Sequence, residues 1–345
     1  MDSGQHLGTG ESEGSRERAV LVTGATGALG PAVIRAFGPD GWRVRTLSRR
    51  PPTSGTAAAG VPHFAADLGD ERVLLEAMRD VDVVVHMAAL LHVENPGPEM
   101  EADYWRVNVE GVRNVMRVAR GAGVRRVVFI SSICVYGERG GRLNEETVPA
   151  PDTLYARTKL RAEEAVLEVG QGGTPLGVVL RLGAVYGPTI KGNYARLVGA
   201  LARRRFVQIG RGLNSRTMVF EEDVARAILL AATHPSAAGR LYNVTDGSYH
   251  TVAELMRAIC NALGRPVPRY SIPEGPVFAA VRLLEALFRA IRKRPPVSRQ
   301  TLEKFLEDVT VSGEAIMRDL GFAPEWDLDK GWRETVEGMR RLGRL

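Results

Sequence analysis

A glycine-rich turn between a predicted strand and a predicted helix limits the folds open to this chain more than any other segment. The apolar run over residues 18–22 predicts a buried strand, and the apolar spacing from Ala28 to Phe37 predicts a helix. The turn between them, TGATGALG, covers residues 23–30. Strand, glycine turn and helix in this order are typical of an α/β fold with a doubly wound parallel sheet.

The glycines of this turn stand where a bound phosphate would need them. Gly24 allows a sharp bend, Gly27 lets the backbone approach phosphate oxygens, and Gly30 lets the helix pack closely against the strand. The helix N-terminus adds free N–H groups and a partial positive charge, which stabilise a pyrophosphate. We therefore predict a dinucleotide cofactor held by Gly24, Thr26, Gly27, Ala28, Leu29 and Gly30.

The end of the second predicted strand indicates which dinucleotide is bound. Residues 42–47 form that strand, and in this fold a carboxylate near its end holds the ribose 2′-hydroxyl of NAD. Here the strand is followed by Ser48, Arg49 and Arg50, with no acidic residue. Guanidinium groups bind a phosphate through paired donors, so this segment favours NADP over NAD.

Two further predicted strands supply the remaining cofactor contacts. Residues 63–68 end at Asp67 and Leu68, which we expect to meet the adenine. Residues 81–89 form a continuous apolar strand whose end, Met87, Ala88 and Ala89, includes small residues that let the cofactor pass close. With the glycine turn, these residues outline one cofactor site along the carboxyl ends of a parallel sheet.

A tyrosine and a lysine four residues apart supply proton-transfer chemistry. Tyr155 and Lys159 fall on one face of a predicted helix. An alcohol loses hydride only when its hydroxyl proton leaves as well, and a tyrosine with a pKa of about 10 is a poor base at neutral pH. A nearby ammonium and an oxidised nicotinamide favour the phenolate, and Lys159 can also hold the nicotinamide ribose. The pair therefore predicts reversible hydride transfer at a carbinol carbon.

In their order and spacing these segments resemble the extended short-chain dehydrogenase/reductase family, NAD(P)-dependent enzymes that include nucleotide-sugar epimerases and dehydratases. The segments that carry the resemblance are TGATGALG, Asp67-Leu68, HMAA (86–89), Asn108 with Gly111 and Asn114, SSICVYG (131–137), Tyr155 with Lys159, RLGAVYGP (181–188), Arg216 with Asp223, and Tyr242-Asn243-Val244. The resemblance implies a Rossmann domain over residues 19–188 plus about 214–246. It also implies a smaller, discontinuous substrate-binding lobe over residues 189–213 plus about 247–345.

The resemblance assigns roles around the predicted catalytic pair. Ser132 stands four residues before Tyr136, where the family has a Ser or Thr that donates to the substrate oxygen and orients it. Asn108 is expected to support the site from its helix. Sugar 4,6-dehydratases carry an Asp-Glu pair directly after the hydroxyl residue, whereas this chain has Ile133 and Cys134. Neither side chain can eliminate water in that way, so we do not expect a dehydratase.

Cys134 has two interpretations. In some relatives that form 3,5-epimers of 4-keto sugars, a cysteine at this place is an acid or base with a His or Lys opposite it. This chain has Thr189 where such a histidine is expected, and Lys191 two residues further on. A free cysteine is also among the most buried residue types. We expect Cys134 to contact the substrate by packing rather than by proton transfer.

The substrate prediction depends on the second half of the chain. Asn193 and Arg216 match positions that grip the diphosphate in nucleotide-sugar epimerases, which implies a 4-epimerase acting through a 4-keto intermediate. Ala184 departs from the family, because these enzymes commonly carry an Asn there. The alternative is an NADPH-dependent reductase or dehydrogenase of a hydroxysteroid-like or flavonoid-like carbonyl. A non-catalytic cofactor-binding sensor is a third hypothesis, and the intact catalytic residues argue against it.

Composition narrows the class of protein. The 345 residues are 44% hydrophobic and 25% charged, typical of a soluble globular chain with one large core and a smaller lobe. Two cysteines form no disulfide framework and suit a reducing cytosol. Residues 1–18 lack the apolar stretch of a signal peptide and are expected to form a disordered tail. We therefore expect a cytoplasmic protein, and a homodimer because many relatives dimerise.

The net charge of +6 raises the question of an anionic partner. Arginine is abundant throughout, and no helix-turn-helix, zinc or aromatic-basic pattern occurs, so we predict neither nucleic-acid binding nor a metal site. Residues 277–294 have helical periodicity, with Arg282 and Glu285 on one side and Val281, Leu284 and Leu287 largely opposite. Such a helix can lie on an anionic membrane surface. We expect it instead to pack over the site as a cap.

Overall fold

The computed structural model describes residues 17–39, 41–52, 57–91, 97–168, 173, 175–290 and 299–345. The predicted disordered tail therefore lies outside the described residues, apart from its last two positions. The elements in chain order are β1 (Ala19–Thr23), α1 (Gly30–Phe37), β2 (Arg43–Ser48), β3 (His63–Ala65), α2 (Glu71–Met78), β4 (Val83–His86), α3 (Pro98–Trp105), α4 (Gly111–Gly121), β5 (Arg126–Ser132), β6 (Arg142–Leu143), α5 (Leu154–Leu167), β7 (Gly177–Leu182), β8 (Ala184–Tyr186) and α6 (Asn193–Ala202).

The remaining elements complete the second half of the chain. They are β9 (Gln208–Ile209), β10 (Ser215–Arg216), β11 (Met218–Phe220), α7 (Glu221–Thr233), β12 (Leu241–Val244), β13 (His250–Thr251), α8 (Val252–Leu263), β14 (Ser271–Ile272), α9 (Glu274–Ala290), α10 (Arg299–Leu306), β15 (Thr310–Val311), α11 (Glu314–Leu320) and α12 (Leu328–Arg341).

A seven-stranded parallel sheet in the order β12-β7-β5-β4-β1-β2-β3 forms the centre of the fold. The strand order reverses beside β1, so the crevice between β1 and β4 is the place where this class of fold binds its ligand. In the pairing register Thr23 lies opposite His86, which in turn lies opposite Phe129. The predicted doubly wound sheet is therefore confirmed, including the return of residues 241–244 to its edge.

Helices cover both faces of the sheet because its strands are buried on both sides. One core joins the sheet to α1 and α7, and a second joins it to α2, α4 and α5. Parallel strands of this kind read as continuous apolar runs rather than alternating ones, as in Val83–His86. The two layers hold the carboxyl ends of the strands together, which is where the predicted site residues stand.

A separate apolar core lies beyond the sheet, and it joins residues of the predicted lobe to Tyr186, Met218 and Phe220, which the prediction places in the Rossmann domain. It combines α6, α8 and α12 with the small β8–β11 pair, around the stacked rings of Tyr186 and Trp332. The C-terminal part of the chain is divided between this core and the sheet. Ile316, Leu320 and Phe322 pack in the sheet core rather than in the lobe, because α11 lies against the edge strand β12.

The predicted membrane or cap helix differs from expectation in its packing. The helix α9 ends at residue 290, and residues 291–294 of the predicted segment lie outside the described residues. Leu287 was expected on the packed face and is exposed, whereas Val281 is buried. None of the residues of α9 lines the cleft described below, so the helix does not cap it. Within the described residues, no helix is long and apolar enough to span a membrane.

Candidate active site

A cleft of about 530 Å³ runs along the carboxyl ends of β1, β2, β4, β5 and β7. It brings together nearly all of the residues that the sequence assigns to cofactor and catalysis. Its lining includes Gly24, Thr26, Gly27, Ala28, Leu29, Ser48, Arg49, Arg50, Asp67, Leu68, Met87, Ala88, Ala89, Ser132, Tyr155 and Lys159. Gly30 and Asn108 lie behind this wall.

The glycine turn has the geometry of a backbone cradle. Gly24 has φ of +73°, and a Cβ there would lie 2.7 Å from the Ala88 nitrogen. Only glycine therefore fits between β1 and the chain leaving β4. Gly30 is restricted for a different reason from the one expected. A Cβ at Gly30 would overlap the Ala25 carbonyl. Glycine is therefore needed at the first residue of α1 because the turn packs directly against it.

We expect the substitution Gly30→Ala to open the turn and weaken cofactor binding. The overlap with a backbone carbonyl cannot be relieved by a rotamer, and overpacking of this kind costs about 1–3 kcal/mol. Fluorescence titration should show a loss of NADPH affinity of roughly 10–100-fold. Gly121→Ala is the matched control, because Gly121 has open space around its Cβ position at the end of α4. Equal affinities in the two variants would contradict this account.

The carboxyl end of β2 presents two arginine side chains at the cleft. The Ser48 hydroxyl donates to the Arg50 carbonyl at 2.7 Å and so fixes the turn, while the side chains of Arg49 and Arg50 are exposed at the cleft. The acidic residue of the neighbouring strand end, Asp67, pairs with Arg106 at 3.4 Å and accepts from the Gly69 backbone at 3.1 Å. Together with the glycine cradle, these residues can hold a dinucleotide.

Ser132 and Tyr155 line the cleft, and Cys134 lies close to both of them outside its lining. The Ser132 oxygen accepts from the Cys134 backbone N–H at 3.2 Å, which caps a short 3₁₀ turn and leaves the hydroxyl proton available for a substrate oxygen. Burial raises the pKa of Tyr155 above its usual value, and the nearby Cys134 and Tyr104 add to the rise. The sequence predicted a lowered pKa. The positive charge of an oxidised nicotinamide is the influence that would oppose this burial.

Lys159 is held by the strand beneath it rather than by solvent. Its ammonium donates to the Ile130 carbonyl at 2.5 Å and lies 4.0 Å from the centre of the Phe129 ring. Burial lowers the pKa of Lys159 to about 7, while the carboxylate of Glu163, one turn further along α5, raises it. A lysine poised in this way can release or accept a proton near neutral pH.

Asn108 supports the site through its amide, as expected, and does not reach the cleft. It lies on a single π-helical turn over Arg106–Glu110, a feature often found at functional sites. Its side chain accepts from the Leu90 N–H at 2.8 Å and donates to the Leu90 carbonyl at 3.1 Å. It also donates to the Thr158 hydroxyl at 3.2 Å. Asn108 therefore ties the loop after β4 to the helix that carries Tyr155 and Lys159.

Three predicted substrate residues are not part of the cleft lining. Cys134 is exposed beside Tyr155, and Asn193 is exposed at the start of α6. The half-buried Arg216 guanidinium donates to the carbonyls of Ser215, at 3.0 Å, and Glu307. The lining instead includes the apolar side chains of Leu90, Leu91, Leu182, Val185 and Ile190, together with Lys191.

Sequence reasoning missed one titratable group in the cleft, Glu221. It begins α7 directly after β11, and its side chain lies against Gly187 and Thr189 on the glycine-turn side of the cleft. Burial raises the pKa of Glu221 to about 7. Three acidic residues in a row at 221–223 resemble an ordinary helix N-terminus, so no local signal separates the buried first one from its neighbours.

The chain is similar to known proteins over nearly its whole length. The model of the NAD dependent epimerase/dehydratase family matches residues 20–245. The chain is 27% identical to the UDP-glucose 4-epimerase of Vibrio cholerae, covering 93% of this chain and 95% of that one. It is 30% identical to a 4-hydroxy-2-methyl-3-oxo-4-farnesyl-3,4-dihydroquinoline-1-oxide ketoreductase of Stigmatella aurantiaca, covering 94% and 96%. The structure of MoeE5 in complex with UDP-glucuronic acid and NAD superimposes with a TM-score of 0.74 at 27% identity, covering 94% and 99%.

Proposed function

The chain belongs to the NAD dependent epimerase/dehydratase family, and from this premise we propose that it is an NADP(H)-dependent reductase or dehydrogenase of a carbonyl carried on a largely apolar molecule. The observation that carries the proposal is the apolar part of the cleft lining. Leu91, Val185 and Ile190 belong to it, and Lys191 lines the same cleft. An apolar wall of this kind favours an apolar substrate, because burying one there removes apolar surface from water.

The positions of Asn193 and Arg216, the two residues predicted to bind a diphosphate, also favour an apolar substrate. A diphosphate needs guanidinium or ammonium donors with free hydrogen-bonding capacity. Arg216 uses part of its capacity on two backbone carbonyls, and Asn193 stands outside the lining. The Stigmatella relative, a ketoreductase by name, also supports a carbonyl-reducing reaction.

The residues of the cleft divide the work of a carbonyl reduction. The dinucleotide supplies or accepts the hydride when bound. Ser132 donates a hydrogen bond that polarises and orients the substrate carbonyl, and the Tyr155 hydroxyl gives the oxygen its proton. Lys159, one turn along the same helix, replaces that proton, and Asn108 ties this helix to the loop after β4. In the reverse direction the same groups remove the proton.

Cofactor turnover tests this function directly. We expect purified protein to consume NADPH in proportion to added ketone when hydrophobic ketones are supplied, with no reaction of UDP-sugars. In a thermal-shift assay NADPH should raise the melting temperature, and UDP should add nothing further. Stabilisation by UDP together with interconversion of UDP-sugars, without net cofactor consumption, would overturn the proposal.

A nucleotide-sugar 4-epimerase is the second candidate, and one observation favours it. Lys191 is exposed at the cleft and could pair with a diphosphate. The Vibrio epimerase and the MoeE5 complex with UDP-glucuronic acid add support. An epimerase recycles its bound cofactor, whereas a reductase consumes NADPH, so the turnover assay separates the two candidates.

We further propose that the cofactor is NADP(H), because Arg49 and Arg50 stand at the cleft with no carboxylate on that strand end. A charge-assisted hydrogen bond contributes about 1.5–3 kcal/mol, so Arg49→Ala with Arg50→Ala should weaken NADPH binding roughly 10–100-fold. Binding of NADH should change little. Arg43→Ala, at the exposed opposite end of β2, serves as the control. An equal loss for both cofactors would refute the NADP assignment.

We also propose that the exposed face of α9 binds a lipid surface. Leu283 and Leu287 are 63% and 57% exposed. Ala279, Ala280 and Ala286 are also exposed and stand three or four residues from one of these leucines, or directly before it, on the same helix. The lobe around them is cationic. The segment 189–213 carries six basic residues and no acidic one. Its exposed run Arg203–Arg205 precedes β9, which pairs with β14 just before α9. Exposed leucines beside arginines suit an anionic membrane surface.

Vesicle sedimentation tests the lipid partner. The full chain should pellet with vesicles that contain phosphatidylglycerol and remain in solution with phosphatidylcholine alone. Leu283→Asn with Leu287→Asn should reduce the binding by about tenfold or more. Leu75→Asn is the matched control, since Leu75 on α2 is 53% exposed and far from the cationic lobe in sequence. Unchanged binding in the double variant, or a concentration-dependent dimer that the double variant abolishes, would refute the lipid assignment.

A further inference from the structure

Glu221 combines deep burial with a position on the cofactor cleft. It is 4% exposed and lines the cleft that also contains Gly27, Ala28 and Leu29. The Thr189 hydroxyl links it to the glycine turn, lying 2.7 Å from the Ala28 carbonyl and 3.3 Å from Glu221 Oε2. Gly187 is fixed by the same side chain, because a Cβ at that position would overlap the carboxyl group. Glu221 is thus packed against the wall where the dinucleotide phosphates are expected.

The charges around Glu221 do not neutralise it. Arg35 on α1 acts on it from a distance, but its guanidinium pairs with Glu222 at 3.1 Å on the outside of the fold. Glu222 and Glu334 contribute negative charge, and Asp223 is paired with Arg226. Two further cations are close in the fold and do not pair with Glu221. Arg344 donates to the carbonyls of Pro188 and Ile190, and Lys191 is exposed in the cleft lining.

An ionised carboxylate in this place would face the negative phosphates of a dinucleotide. Two like charges in a cleft of low dielectric repel each other, and the group that can accept a proton does so. Resting on the dinucleotide site proposed above, we infer that Glu221 is a positioning residue that braces Thr189 against the glycine turn and takes up a proton when the cofactor binds. Cofactor affinity is thereby linked to pH.

The sign of the linkage follows from the direction of the change. Burial has already raised the pKa of Glu221 to about 7, and a bound anion raises it further. Below that pKa the carboxyl is neutral in both states and affinity does not depend on it. Above it, binding must first recruit a proton, so affinity falls as pH rises, by up to about tenfold per pH unit. The 2′-phosphate of NADP has a pKa of about 6, so its charge is nearly constant above pH 7.

Cofactor titrations of the full chain, without substrate, test the inference. Between about pH 7 and 9 the dissociation constants of NADPH and NADH should both rise for the native protein, with a slope approaching tenfold per unit. Glu221→Gln keeps the shape and the acceptor for Thr189 but cannot ionise, so it should lose most of the native slope, and the slope that remains belongs to Lys159, whose pKa is also about 7. Glu222→Gln removes the same charge one residue away and should keep the native slope. A native slope in Glu221→Gln would overturn the inference.

A second measurement does not depend on any variant folding. Calorimetry at about pH 8 in two buffers of different ionisation enthalpy counts the protons exchanged on binding. The native protein should take up a substantial fraction of one proton per cofactor bound, and Glu221→Gln should take up clearly less, with only the contribution of Lys159 left. Absence of uptake by the native protein would overturn the inference. Because neither experiment uses a substrate, the result is independent of whether the enzyme is a reductase or an epimerase.

Discussion

Replacement of Tyr155 by Phe is expected to lower turnover by about 10²–10⁴-fold while leaving NADPH affinity within a few-fold of native. The substitution removes one oxygen atom from a side chain that lines the cleft beside Ser132 and Cys134. Without that hydroxyl, the alkoxide formed by hydride addition has no positioned proton donor. Steady-state kinetics give the loss of turnover, and a fluorescence titration gives the cofactor affinity separately.

Tyr104→Phe is the matched control for this prediction. Tyr104 is also buried near Tyr155, and its hydroxyl donates to the Leu91 carbonyl at 2.5 Å. Its loss should cost about 0.5–1.5 kcal/mol of stability, with a much smaller effect on turnover. If Tyr155→Phe retained native turnover, or if both variants lost the same activity, Tyr155 would not be the proton donor.

The largest effect on stability is expected from Arg181→Met. Arg181 and Glu163 are both almost fully buried, and the guanidinium donates to the carboxylate through Nε at 3.0 Å and Nη2 at 2.6 Å. The Ser131 hydroxyl donates to the same carboxylate. Removing the arginine leaves a buried charge without its partner, which should lower the free energy of unfolding by about 3–5 kcal/mol. Urea denaturation measures this loss.

A double variant distinguishes a broken ion pair from a simple cavity. Glu163→Gln combined with Arg181→Met removes both charges and keeps an acceptor for Ser131. It should recover most of the lost stability, because the desolvated charge is gone. Equal losses in the single and double variants would show that packing of the long side chain, rather than charge, is what Arg181 contributes.

The central sheet was predictable because its signals are local. Apolar runs predicted four of its seven strands, β1 to β4, and the boundaries differ where the chain leaves the sheet to build the site. The predicted strand 81–89 is regular only over Val83–His86, since Met87, Ala88 and Ala89 turn away to line the cleft. The predicted strand 63–68 stops at Ala65 because β3 lies at the sheet edge, with only β2 as a partner. The two-residue strands such as β9 and β14 have no periodicity to detect.

The site was predictable where neighbours in sequence are also neighbours in space. The glycine turn, the β2 end and the pair Tyr155 and Lys159 depend on spacings of a few residues, and all line the cleft. Glu221 and Arg216 differ. Glu221 reaches Thr189 across 32 positions, and Arg216 reaches Glu307 across 91. Such contacts are set by how the lobe packs onto the sheet, which local patterns do not encode.

The sequence by itself determined the parallel sheet, the dinucleotide turn and the hydride chemistry, because backbone conformation and helical spacing are properties of a few consecutive residues. The tertiary structure alone decided which charges are buried and which face water. It placed Glu221 in the cleft and left Glu222 outside, and it paired Arg216 with backbone carbonyls. It also lined part of the cleft with leucine, valine and isoleucine side chains. Burial and charge at a site are sums over elements distant in sequence, and only packing brings those elements together.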